Sequence, residues 1–536
     1  MSMDFDVAGR SLCAALAGGA QAHPDGRVVV VSEQRPADVT PAQIADAGQR
    51  FGAHLRRIGV GPGDVVAVQL PAWHEWMVAV WGIAHAGAVI LPVVAIYGAK
   101  ELAFILAEAG AKAIVTPDAW RKVDYAQVIR EARSADGGLP GLAHHIVIGE
   151  ARPGTLAWDD MLAPIAVPPM AERAPDDLAM LVYTSGTTSV PKGVQHTSRT
   201  LLSEIASQTR ARGGDDSIEG GPERVLSPWP PGHVAGALAM LRALVDGLTL
   251  VLMDQWSPQE AARLVAEHRI TSMSTTPFHL AGLLDGAQTG GYDLSSLRDV
   301  LTGAAPVPPA LIARSEAAGL HPFRCYGSSE MPTVTKGEPS DPLDKRLTTE
   351  GRLMPGAEIR FVDEDGNDVE EGQDGELALR GPELFIGYRD PALNARAFLP
   401  GGWFLSGDIG RLDADGYLLI TDRKKDIIIR GGENISSREV EELLFAHPDI
   451  LEAAVVAAPD ERMGEIVCAY AVPRPGRAPT LESIGEQFAA AGIARQKTPE
   501  RLVLLPELPR NSTGKVLKHQ LRAMAWEESK GRQAVS

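Results

Sequence analysis

Short runs of Val, Ile and Leu alternate with longer amphipathic segments over the N-terminal part of the chain, as far as about residue 330. The segment that starts at Thr40-Pro41 has a hydroxyl cap and a proline in its first turn, and apolar side chains from Ile44 to Ile58 then recur at helical spacing. The run from Val65 to Leu70 follows, and its length and composition predict a buried strand. Because this order repeats, the pattern predicts an α/β fold whose parallel sheets carry helices on both faces.

The pattern changes twice towards the C-terminus. From Gly356 to Leu419 the apolar positions alternate in short strands separated by Asp/Gly turns, which predicts a small antiparallel β subdomain. After residue 423 a new set of elements begins. Ser436 and Glu439 have capping-box spacing and predict the start of a helix. Further strands and a second helix follow it. We therefore predict two domains, residues 1–423 and residues 424–536, of which the second is a small α+β unit.

One segment is long and apolar enough to imitate a membrane span. Residues 77–98 carry no formal charge, and their length would cross a bilayer. His85, Gly87, Pro92 and Gly98 interrupt the segment and divide it into a short helix, a turn and a strand. We therefore expect a buried α/β unit at this place and no membrane span.

Composition narrows the classes of function. The chain has 536 residues, of which 45% are hydrophobic and 22% are charged, as in ordinary soluble globular proteins. Its formal net charge of -18 argues against a nucleic acid as partner, although a local cluster of Lys and Arg can still bind a small anion. Cys13, Cys325 and Cys468 have neither the spacing of a metal site nor that of a disulfide framework. Because residues 1–10 also lack the pattern of a signal peptide, we expect a cytoplasmic protein.

The strand pattern that ends at Tyr183 leads into a segment of hydroxyls, glycines and one lysine. Glycine lets backbone N–H groups approach an anion, hydroxyls add donors, and Lys192 supplies a mobile positive charge. Pro191 precedes this lysine and Gly193 follows it, so the segment is not a Walker A motif. It predicts a phosphate-binding loop, with the candidate residues Thr184, Ser185, Gly186, Thr187, Thr188 and Lys192. A flexible polar surface loop is the alternative for a segment of this composition.

A second segment, Cys325–Glu330, combines an aromatic ring, hydroxyls and a carboxylate at the end of a predicted strand. These groups can stack on a base, donate to a phosphate and hold Mg²⁺. An ordinary surface turn explains the same residues, and the segments Thr302–Pro306 and Ser406–Asp408 have similar alternatives as turns or helix caps. The charged run Asp422–Asp426 fits a solvated linker equally well.

In this order, and together with Leu508–Lys518 near the C-terminus, these segments make the chain similar to the adenylate-forming enzymes. That family comprises acyl- and aryl-CoA ligases, luciferases and the adenylation domains of peptide synthetases. The resemblance covers about residues 10–525, and it implies that the small C-terminal domain is mobile and turns about a hinge at Lys425. Ser189 and Ser329 depart from the family pattern, which usually has Gly and Thr at these places.

The resemblance also implies roles for the motif residues. The catalytic residues would be Lys515, Lys192, Glu330 and His233. The metal ligands would be Thr184 and Glu330. Besides the phosphate loop, the nucleotide would contact Gly303, Ala304, Ala305, Tyr326, Gly327, Ser328, Ser329, Asp408, Arg423 and Lys515. CoA would pass Gly431 and Gly432, where the missing side chains leave room for pantetheine.

The same resemblance places the acyl group of the substrate in a pocket formed by His233, Val234, Ala235, Gly236, Thr302, Gly303 and Met331. The small and apolar members of this set predict an apolar acid of the medium-chain, alicyclic or aromatic kind. No aspartate lies in the segment Pro228–Gly236 to bind an α-ammonium group, which argues against an amino-acid substrate. A hydrogen-bonded loop histidine without a role in catalysis is the alternative for His233.

The activity implied by the resemblance is that of an acid–CoA ligase that uses ATP, Mg²⁺ and CoA and forms AMP. Since CoA and carrier proteins end in the same pantetheine thiol, a stand-alone enzyme that loads a carrier protein is the nearest alternative. A luciferase-type oxygenase and a nucleotide-binding regulator without catalysis are more distant alternatives. The expected partners are a carboxylic acid, ATP and CoA, with no nucleic acid, and a homodimer is left open.

Overall fold

The computed structural model describes residues 9–135, 137–184, 191–211, 223–305, 307–460, 462–511 and 514–533. The helices are α1 (Leu12–Ala22), α2 (Pro41–Arg57), α3 (His74–His85), α4 (Ala99–Ala109), α5 (Tyr125–Arg133), α6 (Trp158–Met161), α7 (Ser198–Ala211), α8 (Val234–Asp246), α9 (Pro258–His268), α10 (Pro277–Gly290), α11 (Pro309–Ala317), α12 (Leu343–Thr348), α13 (Pro391–Ala397), α14 (Ser437–Phe445), α15 (Leu481–Ala490) and α16 (Lys518–Gln533). The strands are β1 (Val28–Val31), β2 (Ala37–Val39), β3 (Val65–Val68), β4 (Val89–Pro92), β5 (Ala111–Pro117), β6 (Ala119–Trp120), β7 (Val123–Asp124), β8 (His144–Ile148), β9 (Leu156–Ala157), β10 (Leu178–Thr184), β11 (Lys192–Thr197), β12 (Arg224–Ser227), β13 (Thr249–Met253), β14 (Ser272–Thr275), β15 (Asp299–Thr302), β16 (Phe323–Tyr326), β17 (Thr335–Lys336), β18 (Arg352–Leu353), β19 (Glu358–Val362), β20 (Gly375–Arg380), β21 (Gly387–Tyr388), β22 (Phe398–Leu399), β23 (Trp403–Leu412), β24 (Leu418–Arg423), β25 (Ile428–Arg430), β26 (Glu433–Ile435), β27 (Ile450–Asp460), β28 (Gly464–Pro473) and β29 (Arg501–Leu504).

The first sheet has eight strands in the order β21-β11-β10-β4-β3-β5-β8-β9. Its strands from β10 to β9 in this order are parallel, and β11 pairs antiparallel with both β10 and β21. Every residue of β3 is buried, as expected for a parallel strand that helices cover on both faces.

The second sheet has nine strands in the order β18-β17-β16-β15-β14-β12-β13-β1-β2. The six strands from β16 to β1 in this order are parallel, and the antiparallel strands β17, β18 and β2 lie at the two edges. The parallel strands therefore end at one common edge of the sheet.

One layer of helices lies between these two sheets. Helices α1, α2, α3, α7 and α8 share a single hydrophobic core with strands of both sheets. The packing of α2 on α3 is so close that a Cβ atom on Gly48 would lie 2.6 Å from Trp81 Cβ. Helices α4 and α5 cover the outer face of the first sheet, and α9 and α10 cover that of the second. The predicted parallel sheets with helices on both faces are confirmed, as five layers in which the central helices serve both sheets.

Two five-stranded sheets and the antiparallel pair β6-β7 complete the fold. Strands β19, β20, β23, β22 and β24 form an antiparallel sheet, in agreement with the subdomain predicted from Gly356 onwards. Strands β26, β25, β28, β27 and β29 form the last sheet, which packs against α14 and α15 on one face and α16 on the other. The third sheet ends its last strand at Arg423, and the fourth begins at Ile428. The Ser436 hydroxyl caps α14 by accepting from the backbone N–H of Glu439.

The apolar segment 77–98 is divided as predicted. It contains most of α3, a turn at Gly87 and strand β4. Trp76 and Trp81 of α3 are fully buried in the core between the two large sheets. In the part of the chain that the structure describes, no helix combines the length and the apolar character needed to cross a bilayer.

Candidate active site

A cavity of about 2120 Å³ lies at the carboxyl edge of the parallel strands of the second sheet. Residues that directly follow these strands line it, among them Trp229 after β12, Thr276 after β14, Gly303 after β15 and Gly327 after β16. Lys192 of the first sheet, Asp408 of the third and Lys515 in a loop beside the fourth line the same cavity. Ligands of α/β proteins commonly bind at the carboxyl edge of the strands, so this cavity is the candidate active site.

Two residues of the predicted phosphate loop lie in the cavity wall. Thr184 ends β10 and pairs directly with Lys192, the first residue of β11. The Lys192 Nζ atom lies 5.2 Å from the ring centroid of Tyr388, close enough for a cation–π contact. The other predicted loop residues, Ser185, Gly186, Thr187 and Thr188, lie outside the described residues.

Tyr326, Asp408 and Arg423 form one connected group in the wall. The Tyr326 hydroxyl donates to Asp408 Oδ2 over 2.7 Å, and Arg423 Nε lies 2.7 Å from Asp408 Oδ1. Asp408 and Arg423 face each other on the paired strands β23 and β24. Burial and the negative charge of Asp408 raise the pKa of Tyr326, so the phenol stays a proton donor. The Asp408 carboxylate is thereby held in one orientation beside the cavity.

A tight turn brings Glu330 to the cavity from the end of β16. The Ser328 hydroxyl accepts from the backbone N–H groups of Glu330 and Met331 over 3.2 and 3.3 Å. The turn is so close that a Cβ atom on Gly327 would lie 1.9 Å from the carbonyl oxygen of Pro332. Glycine at this position is therefore required for the local backbone.

Sequence analysis missed two residues that hold this turn. The Tyr388 hydroxyl donates to Glu330 Oε1 over 2.7 Å, and Tyr388 lines the cavity. The His196 imidazole lies with Nε2 2.8 Å from the carbonyl oxygen of Ser329. Tyr388 belongs to a two-residue strand that pairs with β11, and such a short strand leaves no periodic signal in the sequence.

The segment after β15 presents backbone to the cavity. Gly303, Ala304 and Ala305 line it, and a Cβ atom on Gly303 would lie 2.6 Å from Cys325 Sγ. Ala304 has a positive φ of 62°, which is rare for a residue with a side chain and strains the backbone. Small side chains at this segment let a flat ligand approach the main chain.

Lys515 lies in the cavity among other cations. It sits in a loop in which its N–H donates to Asn511 Oδ1 over 2.9 Å, and it lines the cavity with Arg423 and Lys425. The positive charge of Arg423, burial and the charge of Lys425 lower the pKa of Lys515 to about 7. Burial and the charge of Arg423 lower the pKa of Lys425 to about 8.

The crowding of cations around Lys515 favours the binding of an anion. Lysines whose pKa is lowered by neighbouring cations are short of negative charge, and an anion placed among them would be bound and would restore their protonated forms. A chain with a net charge of -18 thus concentrates positive charge in its cavity. Arg423, Lys425, Lys515 and Lys192 are among the cationic residues of its lining.

The apolar wall of the cavity comes chiefly from α8. His233 directly precedes this helix, and burial lowers the pKa of its imidazole to about 4, so it is neutral at pH 7. Val234, Ala235 and Leu238 follow on the face of α8 that lines the cavity. A neutral histidine can orient a substrate by hydrogen bonding, but it brings no charge to it.

Three residues predicted for the acyl pocket do not line the cavity. Gly236 packs against the backbone of its own loop, where a Cβ atom would lie 2.2 Å from the carbonyl oxygen of Pro230. Thr302 is fully buried in β15, and its side chain faces away from the cavity between Leu301 and Gly303, which both line it. Met331 is fully buried too, and it packs in the core of the third sheet because the turn after Tyr326 directs it away from the cavity.

The predicted CoA-binding glycines also lie apart from the cavity lining in this arrangement. Gly431 and Gly432 form the turn between β25 and β26, both with positive φ. The Gly431 N–H donates to the carbonyl oxygen of Met463 over 2.8 Å, which ties the turn to the last sheet. Lys515 occupies the cavity while these glycines remain outside it.

Comparison with known proteins agrees with this geometry. The AMP-binding enzyme family matches residues 16–389, and the AMP-binding enzyme C-terminal domain matches residues 439–515. The chain belongs to the AMP-binding enzyme family. This confirms the predicted family and the predicted class of enzyme, an AMP-forming ligase.

Relatives cover nearly the whole chain. A medium-chain fatty-acid–CoA ligase of Escherichia coli (strain K12) is 35% identical over 94% of this chain and 88% of its own length. The anthranilate CoA ligase AuaEII, solved in complex with anthranoyl-AMP, has a TM-score of 0.84 at 25% identity, with 96% of this chain and 97% of that chain covered. The amide bond synthetase McbA from Marinactinospora thermotolerans has a TM-score of 0.83 at 27% identity, with 96% of this chain and 99% of that chain covered. The predicted fold is therefore confirmed as well.

Proposed function

We propose that the protein is an acid–CoA ligase, which activates an apolar carboxylic acid with ATP and then transfers the acyl group to CoA. One observation carries the proposal: Lys515 meets Arg423 and Lys425 in a cavity that also has an apolar wall. The cations suit the phosphates of ATP, and the α8 wall suits an apolar acyl group. Relatives named for a medium-chain fatty acid and for anthranilate support an acid of this kind.

In the first step, a carboxylate oxygen of the acid attacks the α-phosphorus of ATP. A carbon–oxygen–phosphorus link forms, the bond to the β-phosphate breaks, and pyrophosphate leaves with its electron pair. Lys515 would stabilise the negative charge on the α-phosphate oxygens during this exchange, and Lys192 would neutralise the departing pyrophosphate. Asp408, already oriented by Tyr326 and Arg423, would accept from the ribose hydroxyls.

The residues present also fit Mg²⁺. Glu330 supplies a carboxylate in the cavity wall beside Lys192, and Thr184 supplies a hydroxyl. Mg²⁺ is commonly held by one or two carboxylates together with phosphates and water, so a single glutamate is a sufficient protein contribution. When bound, the ion would add positive charge at the phosphates. The hydrogen bond from Tyr388 keeps the Glu330 carboxylate in place for this role.

In the second step, the CoA thiol gives up its proton to water and its sulfur attacks the acyl carbon, a carbon–sulfur bond forms, the bond between the acyl carbon and the phosphate oxygen breaks, and AMP leaves with that electron pair. We propose that the C-terminal unit, residues 424–536, then rotates about Lys425. This motion would withdraw Lys515 from the cavity and bring Gly431 and Gly432 towards it, where the absent side chains leave room for pantetheine. In the present arrangement these glycines lie apart from the cavity. This is expected for an enzyme whose C-terminal unit takes up a different position in each of the two steps.

Product analysis tests the proposal. The protein is incubated with ATP, Mg²⁺, CoA and a pool of aliphatic, alicyclic and aromatic acids, and products are identified by mass spectrometry. We expect new acyl-CoA species with AMP in equal amount. Parallel reactions replace CoA with a pantetheine-bearing carrier protein or with a simple amine, since a structural relative is an amide bond synthetase. Acyl transfer to one of these acceptors and not to CoA would contradict the CoA assignment, and absence of AMP with every acid would contradict the activity itself.

A further inference from the structure

A buried carboxyl group lines the cavity and has no part in the proposed reaction. Glu204 of α7 is only 4% exposed, and its Oε1 atom accepts from the Thr333 hydroxyl over 2.7 Å and from Gln208 Nε2 over 3.0 Å. Glu204, Gln208 and Thr333 all line the cavity. The Glu204 Oε2 atom is buried and has no hydrogen-bond partner among the described residues.

Several apolar side chains line the cavity near this group. Ile205 lines the cavity from the same helix, and α7 packs beside α8, which contributes Leu238 and Ala239. Arg242 of α8 reaches the lining too, but its guanidinium is paired with Glu223 and lies 3.1 Å from Asp246. The group formed by Glu204, Gln208 and Thr333 is therefore a polar spot within the apolar part of the cavity.

An unpaired carboxyl oxygen in such a place is costly, because burial removes its hydrogen bonds to water without replacing them. Burial and the charge of nearby Glu383 raise the pKa of Glu204 to about 7. The carboxyl group is thus protonated in part of the molecules at neutral pH and ionised in the rest. A partner that can both donate and accept a hydrogen bond suits either form.

We propose that Glu204, Gln208 and Thr333 bind a hydroxyl group carried by the apolar part of the acid, away from the carboxylate that reacts. A hydroxyl donates to the ionised Glu204 Oε2 and accepts from its protonated form, whereas an oxo group can only accept and an ammonium group can only donate. The inference rests on the proposed function, because it names the substrate of that same reaction. Glu204 would act as a specificity-determining residue, not as a catalytic one.

Matched pairs of acids test this inference. One panel contains the straight-chain acids from hexanoic to dodecanoic and their counterparts with a terminal hydroxyl, and a second contains cyclohexyl- and phenylalkanoic acids with and without a ring hydroxyl. Oxo and amino analogues complete the panel. The measured quantity is kcat/KM for AMP formation. For at least one pair we expect the hydroxylated acid to exceed the unsubstituted, the oxo and the amino analogues by about 10- to 100-fold.

Variants locate the effect. Glu204→Leu is expected to remove the preference, and the more conservative Glu204→Gln is expected to reduce it. Thr209→Val is the matched control, because Thr209 also lies on α7 and donates a hydrogen bond to Asp246, but it does not line the cavity. Its preference should equal that of the unchanged protein. Since the preference is a ratio measured within one variant, a partly unfolded sample lowers both rates and leaves the ratio intact.

Two results would overturn the inference while leaving the proposed function standing. The first is AMP formation in which no hydroxylated acid of the panel is preferred. The second is a preference that persists in both Glu204 variants. Absence of AMP with every acid would instead overturn the proposed function, so the two failures are distinguishable.

Discussion

At the scale of single residues, the cations of the cavity are the most informative feature. Lys515, Arg423 and Lys425 lie together, and each positive charge makes a further positive charge less favourable. The free protein therefore holds Lys515 with a pKa of about 7, well below that of an ordinary lysine. Binding of an anionic nucleotide would reverse this shift, so that Lys515 becomes fully charged when the substrate arrives.

The lowered pKa of Lys515 can be measured by chemical labelling. Only the neutral amine reacts with an acylating reagent, so the labelling rate of Lys515 should rise with pH, reach half of its maximum near pH 7 and level off above about pH 8. Exposed Lys100 serves as the internal reference for the reagent. Arg423→Ala removes the largest cause of the shift, and the plateau should then move to higher pH. If the labelling rate of Lys515 rises in parallel with that of Lys100 up to pH 9, the pKa of Lys515 is not lowered and the inferred crowding of cations around it is wrong.

The catalytic role of Lys515 leads to a second prediction. Lys515→Ala should lower the rate of adenylate formation by about 10²-fold or more, because one preorganised charge at the reacting phosphate is lost. Pyrophosphate exchange into ATP measures this half-reaction alone. Lys518→Ala is a suitable control, since Lys518 also lines the cavity but pairs with Glu441 and contacts Ser437. Unchanged exchange in Lys515→Ala would remove Lys515 from its assigned role.

Residues within contiguous motifs could be predicted from sequence, and residues held by long-range contacts could not. Tyr326, Asp408, Arg423 and Lys515 line one cavity although their motifs are far apart in the chain. Tyr388, by contrast, acts through a hydrogen bond to Glu330 that depends on the pairing of β21 with β11. Met331 is the converse case. Its place in a motif suggested that it lines the acyl pocket, but the turn directs its side chain into the core of the third sheet, and the sequence does not show the direction of the turn.

At the scale of elements, short turns decide where the chemistry lies. The turn after β16 carries Tyr326 at one end and Glu330 at the other, and its closure depends on Gly327. The turn between β24 and β25 carries Lys425, and its backbone hydrogen bonds are donated by Asp426 and Ile427 to the carbonyl oxygen of Arg423. Sequence patterns identified the flanking strands because they are apolar and regular. The packing demands on the turns follow only from the three-dimensional structure.

Gly327→Ala tests the first turn. The added Cβ atom would lie 1.9 Å from a backbone oxygen, so the turn has to shift, and the free energy of unfolding should fall by at least about 1–3 kcal/mol. Adenylation should fall too, because Tyr326 and Glu330 move with the turn. Gly485→Ala is the matched control, since an added Cβ in the middle of α15 has open space and should raise stability by about 0.5–1 kcal/mol. Equal stability of both variants would contradict the packing argument, and denaturant unfolding measures it.

Lys425→Pro tests the second turn. A proline there removes neither of the turn's two backbone hydrogen bonds, but it fixes φ and restricts the preceding residue. The rate of adenylation in Lys425→Pro should equal that in Lys425→Ala. The alanine variant loses the same ammonium group but keeps a flexible backbone. Thioester formation should be slower in the proline variant than in the alanine variant. Equal rates of both half-reactions in the two variants would argue against a hinge at this position.

At the scale of the whole molecule, the sequence predicted the classes of sheet in chain order but not how they stack. Alternating helices and strands predicted the parallel sheets, and the Asp/Gly turns after Gly356 predicted the antiparallel one. The sharing of α1, α2, α3, α7 and α8 by two sheets could not be predicted, because amphipathic spacing does not identify the partner of a face. The division of the chain after residue 423 stays a prediction, consistent with the separate sheets on either side.

The central claim is that the acid is activated through its own oxygen on the α-phosphate of ATP. The most direct test is to supply an acid labelled with oxygen-18 in both carboxylate positions, together with ATP, Mg²⁺ and CoA, and to analyse AMP by mass spectrometry. Attack on the α-phosphorus followed by thiol transfer leaves one labelled oxygen in AMP and one in the acyl-CoA. AMP with a single oxygen-18 atom is the result we predict. Unlabelled AMP, or label found in inorganic phosphate, would contradict an acyl-adenylate intermediate and with it the function proposed for this cavity.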